Sequence, residues 1–327
     1  MKAAVAQQPG NLDVLEVVEL QPDALKTGEV KIKVKAFGLN KAESYYRSGN
    51  YGTFVPNQAI GIEAVGEVVD DPSQQFSVGQ KVATVMGGMM FARHGSHAEY
   101  INVLSSNIVP LDSNLPFDEL AALPEVYLTV WGALDKNLQI QKGESLLVRG
   151  ATSALGMAAV TYAKARGLSV IATTRNLDAK AKLTALGADH VVIDNGDIHQ
   201  EILTICPDGV NKVLEVVGAA TVKDSLKAVS KWGEVTVVGL LGGLPVIENF
   251  NLMGDLPNTV KLSFFSSGML GTPDMPLSES PLNWIAKQIE QGIMPSIIAK
   301  KFDFSEIKQA HELLESNTAN GKIVVSF

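Results

Sequence analysis

Glycine, hydroxyl and guanidinium groups in one short stretch offer the means to hold an anion. Gly150 and Gly156 bracket Ala-Thr-Ser-Ala-Leu, so Gly150, Thr152, Ser153, Ala154 and Leu155 form a turn of mostly small residues ahead of a helical pattern. Small side chains let a phosphate approach the backbone, and the hydroxyls of Thr152 and Ser153 add donors. The start of the helix adds unpaired N–H groups and the positive end of its dipole. The usual dinucleotide pattern, G-x-G-x-x-G, lacks its middle glycine here. A phosphate-loop reading fails, because Met157 stands where a lysine is required. About 20 residues past such a turn, NAD sites carry an Asp or Glu for the ribose 2′-hydroxyl. This chain has Thr173, Thr174, Arg175 and Asn176 there, with no acid before Asp178. Arginine grips a 2′-phosphate in a fork, and Lys180 or Lys182 adds positive field. The expectation is therefore NADPH, with Thr174, Arg175 and Asn176 at its 2′-phosphate.

These residues need a frame. Ser145–Arg149 is apolar without alternation, as in a strand buried on both faces. Gly150 breaks it, Ser153–Arg166 has helical spacing, Gly167 ends the helix, and Ser169–Thr174 reads as the next strand. Further strand candidates are Ala188–Ile193, Lys212–Val217, Glu234–Gly239 and Val260–Phe265. Amphipathic stretches at Asp178–Leu186, Ile198–Ile205 and Ala220–Ser230 alternate with them. Six strands with right-handed crossovers predict an α/β fold, a doubly wound parallel sheet with its ligand crevice at the carboxyl ends of the strands. Gly150, Arg175, Val217, Gly218 and Gly239 all fall at those ends.

Ahead of Leu115 the pattern is β-rich. Met1–Ala6 reads as a first strand, and Val30–Ala36 alternates Val or Ile with Lys, a half-buried strand with a solvated face. Gly61–Val69, Lys81–Val85 and Ala98–Val103 are strand-like. Leu115 opens an alanine-rich helical segment. Pro281–Gln291 and Ser305–Ser316 read as helices, and Lys322–Phe327 as a last strand returning to the first domain. The expected boundaries are residues 1–120, 121–267 and 268–327.

A chain of 327 residues with 46% hydrophobic content can bury the cores of two domains. Its net charge of −8 argues against nucleic acid or an anionic membrane as partner. A single cysteine, Cys206, excludes a disulfide framework and fits a reducing compartment. No apolar run reaches the ~18 residues of a membrane span. The expected location is the cytoplasm.

A series of short motifs then carries a resemblance. They are Asn40, Glu43, Tyr45, Arg47 and Tyr51 in Gly38–Tyr51, then Gly61-Ile-Glu-Ala-Val-Gly66, Val78-Gly-Gln-Lys-Val82 and Ala98-Glu-Tyr100. Ala122-Leu-Pro124, Leu128-Thr129-Val-Trp-Gly132, Leu186-Gly-Ala-Asp189 and Gly321-Lys322 follow. In this order and spacing the chain resembles the medium-chain dehydrogenase/reductase superfamily, in its zinc-independent quinone oxidoreductase branch. The resemblance implies a Rossmann domain plus a β-rich GroES-like catalytic domain, with substrate in the cleft between them. It also implies a homodimer joined at the sheet edge near Val260–Phe265, with Phe264 and Phe265 as core or edge residues. Zinc-dependent relatives place Cys where Asn40 stands and His where Ile62 stands, and build a structural site from four cysteines. This chain lacks those ligands, so no metal is expected. His94 and His97 have the spacing of an H-x-x-H pair, but His97 occupies a variable position before Ala-Glu-Tyr.

The chemistry implied by the resemblance is hydride transfer to a quinone or an α,β-unsaturated carbonyl. Such acceptors spread developing charge over a conjugated system and do without a Lewis acid. Asn40, Tyr45 and Tyr51 match residues beside the nicotinamide. Two readings of the tyrosines stand side by side: proton donors to an enolate, or packing residues. Glu43 orients Asn40 or Arg47, or takes part in chemistry. Thr129 matches a threonine near the cofactor and is otherwise a helix hydroxyl bonded to its own backbone, and Lys322 matches a basic residue near its phosphates and is otherwise a solvated strand lysine. Two other functions stay open: an alcohol or aldehyde reductase, and a non-catalytic NADPH-binding protein.

Overall fold

The computed structural model describes residues 1–327 and divides into two units. One comprises Met1–Leu128, Ser267–Gln291 and Ser296–Phe327; the other comprises Thr129–Ser266 and Gly292–Pro295.

The first unit opens with β1 (Lys2–Ala6) paired antiparallel to β2 (Leu15–Glu19). Its long central strand is β3 (Glu29–Gly38), followed by α1 (Lys41–Arg47), β4 (Glu63–Asp70), β5 (Lys81–Val85), β6 (Tyr100–Leu104) and β7 (Ile108–Pro110). Val30, Ile32, Val34 and Ala36 of β3 are buried, whereas the lysines between them reach toward solvent, as the two-residue period dictates. The helices α2 (Phe117–Leu120) and α3 (Pro124–Trp131) follow.

The second unit is a strand–helix alternation. Its elements are β8 (Ser145–Arg149), α4 (Ala154–Ala165), β9 (Ser169–Thr174), α5 (Lys180–Ala185), β10 (His190–Ile193), α6 (His199–Ile205) and β11 (Val210–Glu215). The run ends with α7 (Val222–Lys227), β12 (Val229–Val237), α8 (Leu252–Asp255) and β13 (Lys261–Phe264). All six strands are parallel, in the order β10-β9-β8-β11-β12-β13, which is the doubly wound order with its switch point beside β8. Leu147, Ile171, Val213 and Val235 of the sheet pack in one core with Ile202, Val222 and Leu226 of the crossover helices. Both faces are covered, which is why these strands carry no polar alternation.

Two of the expected element boundaries are off by more than two residues. β12 starts at Val229, five positions ahead of the expected Glu234, and α7 stops correspondingly early at Lys227. Trp232 takes a left-handed φ of 66°, and the pairing with β11 shifts register between Val210 and Lys212, so this irregular first stretch has no clean period.

The rest of the chain is α9 (Leu282–Glu290), β14 (Ile298–Asp303), α10 (Ile307–Ser316) and β15 (Lys322–Ser326). β15 pairs antiparallel with β3 and parallel with β14, completing the first unit's sheet in the order β14-β15-β3-β4-β5-β7, with β6 also on β3. The edge strand β14 buries only Phe302 and shows no alternation in sequence. No helix is long and apolar enough to cross a membrane.

Candidate active site

In the second unit the turn after β8 is shaped by its two glycines. Gly150 sits at a φ of 87°, and a Cβ there would lie 3.2 Å from Val217 Cγ2. Gly156 permits the closest approach: a Cβ would stand 2.4 Å from the Gly150 carbonyl oxygen, so α4 rests directly on the turn. Ser153 caps α4; its Oγ accepts the Gly156 N–H at 3.0 Å and donates to the Gly150 oxygen at 2.9 Å. That hydroxyl is thus committed to the turn, and the donors it leaves to a ligand are the amides of Ala154 and Leu155, which open the helix without partners inside it. Thr152 and Ala154 are partly exposed.

At the end of β9, Thr174 Oγ1 accepts the Asn176 N–H at 3.0 Å, and Asn176 Oδ1 accepts the Asp178 N–H at 2.9 Å. This small turn leaves the side chain of Arg175 exposed, with no carboxylate and no hydrogen bond inside the protein. A sugar phosphate arriving there meets a cation with all its donors available. Val217 and Gly239 stand after β11 and β12; the Val217 N–H donates to Glu215 Oε1 at 2.9 Å, and a Cβ on Gly239 would strike the Val216 oxygen at 2.3 Å. The structure therefore brings Gly150, Ser153, Val217 and Gly239 to one end of the sheet.

One residue that sequence reasoning missed holds this end together. Arg149, the last residue of β8, is fully buried. It grips Asp194 with two hydrogen bonds of 2.9 Å, donates to Asp224 Oδ2 at 2.7 Å and to Ser225 Oγ at 3.1 Å. Glu215 completes the cluster, accepting from Gly218 N at 3.0 Å and from Ser225 Oγ at 2.6 Å. Burial alone raises the Asp194 and Asp224 carboxyls. The Arg149 guanidinium at Asp194, and the Ile198 amide with His199 and Arg149 at Asp224, outweigh it and hold both below the usual range. Burial pushes Glu215 up. The arginine was visible in the sequence, but its partners lie 45 and 75 positions away.

In the first unit a second polar network surrounds Asn40, the residue before α1. Its Nδ2 donates to Glu63 Oε1 at 2.8 Å, its Oδ1 accepts from Lys322 Nζ at 2.7 Å, and its N–H donates to Glu43 Oε2 at 2.9 Å. Lys322 Nζ lies 2.5 Å from Glu63 Oε1, and Glu63 Oε2 accepts the Glu125 N–H, near the start of α3, at 2.7 Å. All four side chains are buried. Gly38 makes the room, since a Cβ there would lie 2.4 Å from Lys322 Cε. Lys322 is expected near cofactor phosphates or as a solvated strand lysine; the second expectation is overturned, because the side chain is fully buried and Glu63 neutralises its charge inside the domain. Burial, against the pull of Asn40 and Lys322, pushes Glu43 up to about 8.

The expected tyrosines differ in setting. Tyr45 is partly buried, its hydroxyl makes no hydrogen bond within the protein, and burial raises its pKa. Tyr51 is 43% exposed and packs edge-on against Phe91. Tyr46 between them is structural: its buried hydroxyl accepts the Val55 N–H at 3.0 Å. Arg47 is buried as well, donating to the Gly10 oxygen at 2.7 Å and pairing with Glu315. Thr129 is buried in α3. The H-x-x-H pair does not converge: His94 Nδ1 accepts the Ala59 N–H at 3.0 Å, whereas His97 is stacked on Phe37.

Residues 26–113 match the family described as Alcohol dehydrogenase GroES-like domain, and residues 154–278 the one described as Zinc-binding dehydrogenase. The quinone oxidoreductase of Rattus norvegicus is 29% identical over 328 residues, covering 95% of this chain and 94% of that protein. The crystal structure of an NAD-dependent alcohol dehydrogenase superposes with a TM-score of 0.87 at 25% identity, covering 100% of both chains. The Escherichia coli quinone oxidoreductase complexed with NADPH superposes at 0.89 with 24% identity, again over 100% of both.

Proposed function

The chain belongs to the medium-chain dehydrogenase/reductase superfamily, in its quinone oxidoreductase-like branch, and from that premise we propose an NADPH-dependent oxidoreductase that reduces quinones or α,β-unsaturated carbonyls. Bound at the second unit's sheet, NADPH supplies the hydride. The turn fits it: Gly150 and Gly156 keep the approach open, the Ala154 and Leu155 amides would donate to the pyrophosphate, and Arg175 would pair with the 2′-phosphate. The observation that carries the reading is the uncommitted Arg175 guanidinium at a position where an NAD site needs a carboxylate.

The residues at the positions where zinc-dependent relatives bind their catalytic metal do not fit zinc. Asn40 offers an amide already bonded to Glu63 and Lys322, and Ile62 offers hydrocarbon. We therefore derive no step from a metal there. Protonation of the reduced acceptor falls to Tyr45, Tyr51 or a water molecule. A neutral phenol gives a proton rather than takes one. The rat quinone oxidoreductase supports the acceptor class, and the E. coli complex supports the cofactor.

Association into a homodimer belongs to the same proposal. β13 is an edge strand with Phe264 exposed, and exposed Trp232, Leu252 and Met253 belong to the same unit.

The direct test of the carrying observation is Arg175→Ala. A charge-assisted pair contributes roughly 1.5–3 kcal/mol, so the ratio of kcat/KM for NADPH to that for NADH should fall about tenfold or more. An unchanged ratio removes Arg175 from the site.

A further inference from the structure

Adjoining the Asn40 network, and sharing Glu43 with it, lies a group of buried side chains that the proposed hydride transfer leaves without a role. Glu43 of α1, His97 just ahead of β6 and His311 of α10 are each fully buried, and one ligand atom from each lies within 4.8 Å of the others. His97 Nε2 stands 3.6 Å from Glu43 Oε2. The two imidazoles meet at right angles, centroids 5.3 Å apart, and Phe37 stacks on His97 at 4.4 Å and holds its plane. None of the four ring nitrogens finds a hydrogen-bond partner in the protein. Buried imidazole nitrogens are ordinarily paired, so four orphans in one place call for a ligand.

The surrounding charge tells which sign the ligand has. Arg47 pairs with Glu315, and Lys322 pairs with Glu63. Glu43 is held by the amide and Nδ2 of Asn40 and feels Lys322, but makes no direct ion pair with a lysine or arginine. Two imidazole nitrogens and one carboxylate oxygen form a borderline donor set that suits zinc. Zinc bonds of 2.0–2.1 Å at tetrahedral angles separate ligand atoms by about 3.4 Å, close to the observed His97–Glu43 spacing.

We propose that Glu43, His97 and His311 bind one zinc(II) ion as a structural site, with water as fourth ligand. The three ligands come from segments far apart in sequence, so the ion ties α1 and the approach to β6 to α10 and enters as the chain folds. All three ligand side chains are fully buried, so the ion and its one water are out of reach of a substrate.

The test uses the full chain without a polyhistidine tag, produced in zinc-supplemented medium and assayed by elemental analysis. One zinc per chain is expected, falling at least tenfold in His97→Phe and His311→Phe that remain folded by circular dichroism. Folded wild-type protein free of zinc overturns the proposal, as does zinc retained in both variants. Should the variants not fold, the wild-type chain refolded with cobalt(II) decides: visible d–d bands support the site, and their absence overturns it.

Discussion

A phenol whose hydroxyl is unclaimed by the protein has a proton to give. Tyr45 meets that condition with a raised pKa, and Tyr51 presents its ring at the surface. Replacing both by Phe is expected to lower kcat roughly 100-fold, the lower end for a lost general acid, while the NADPH dissociation constant moves less than about twofold. Unchanged turnover would leave the tyrosines as packing residues. At this scale the sequence was unevenly legible. The place of Arg175 just after β9 could be read because it depends on distance along the chain from a glycine turn, a local quantity. Lys322 could not, because the carboxylate that claims it lies on β4, and no sequence spacing announces an ion pair between residues 63 and 322. The orphaned histidines were hidden for the same reason: His97 was weighed against His94, its neighbour in sequence, rather than His311, its neighbour in space.

Among the elements, the strand–turn–helix from β8 to α4 depends on Arg149 as much as on its glycines. Arg149→Met leaves Asp194, Asp224 and Glu215 without their shared counterion in a buried setting, a loss of about 3–5 kcal/mol at pH 7. The pH dependence has a definite sign. Asp194 and Asp224 have folded pKa values below their ordinary 3.8, so their stabilisation is present above 3.8 and disappears as pH falls through the folded values. Glu215, raised by burial, works in the opposite direction, losing stabilisation as pH rises, and His199 and Asp197 face the same cluster. In the variant the guanidinium no longer helps to offset burial, so all three carboxyls protonate at higher pH, although the amides and hydroxyls that bond them remain. Its deficit in urea-unfolding free energy should therefore shrink between pH 7 and pH 4. An equal deficit at both values would place the damage elsewhere. The βαβ unit itself was legible because buried parallel strands and capped helices leave local signatures, whereas β12 departs from its period at Trp232 and β14 buries too little to leave one.

For the whole molecule, the exposed apolar edge at β13 has a consequence for assembly. Phe264 is 62% exposed, and a charge there should prevent two sheets from joining edge to edge. Wild-type protein is expected to sediment as a dimer and Phe264→Glu as a monomer of unchanged circular dichroism; a monomeric wild type would end the dimer proposal. The most direct test of the function is the initial rate of cofactor oxidation by purified protein with 1,4-naphthoquinone, a 2-alkenal and a plain ketone, each run with NADPH and with NADH in a metal chelator. The proposed function predicts turnover of the quinone or the alkenal, NADPH favoured at least tenfold over NADH, and no reduction of the plain ketone. Chelator-sensitive reduction of the ketone, or tight NADPH binding with no oxidation by any acceptor, would contradict it.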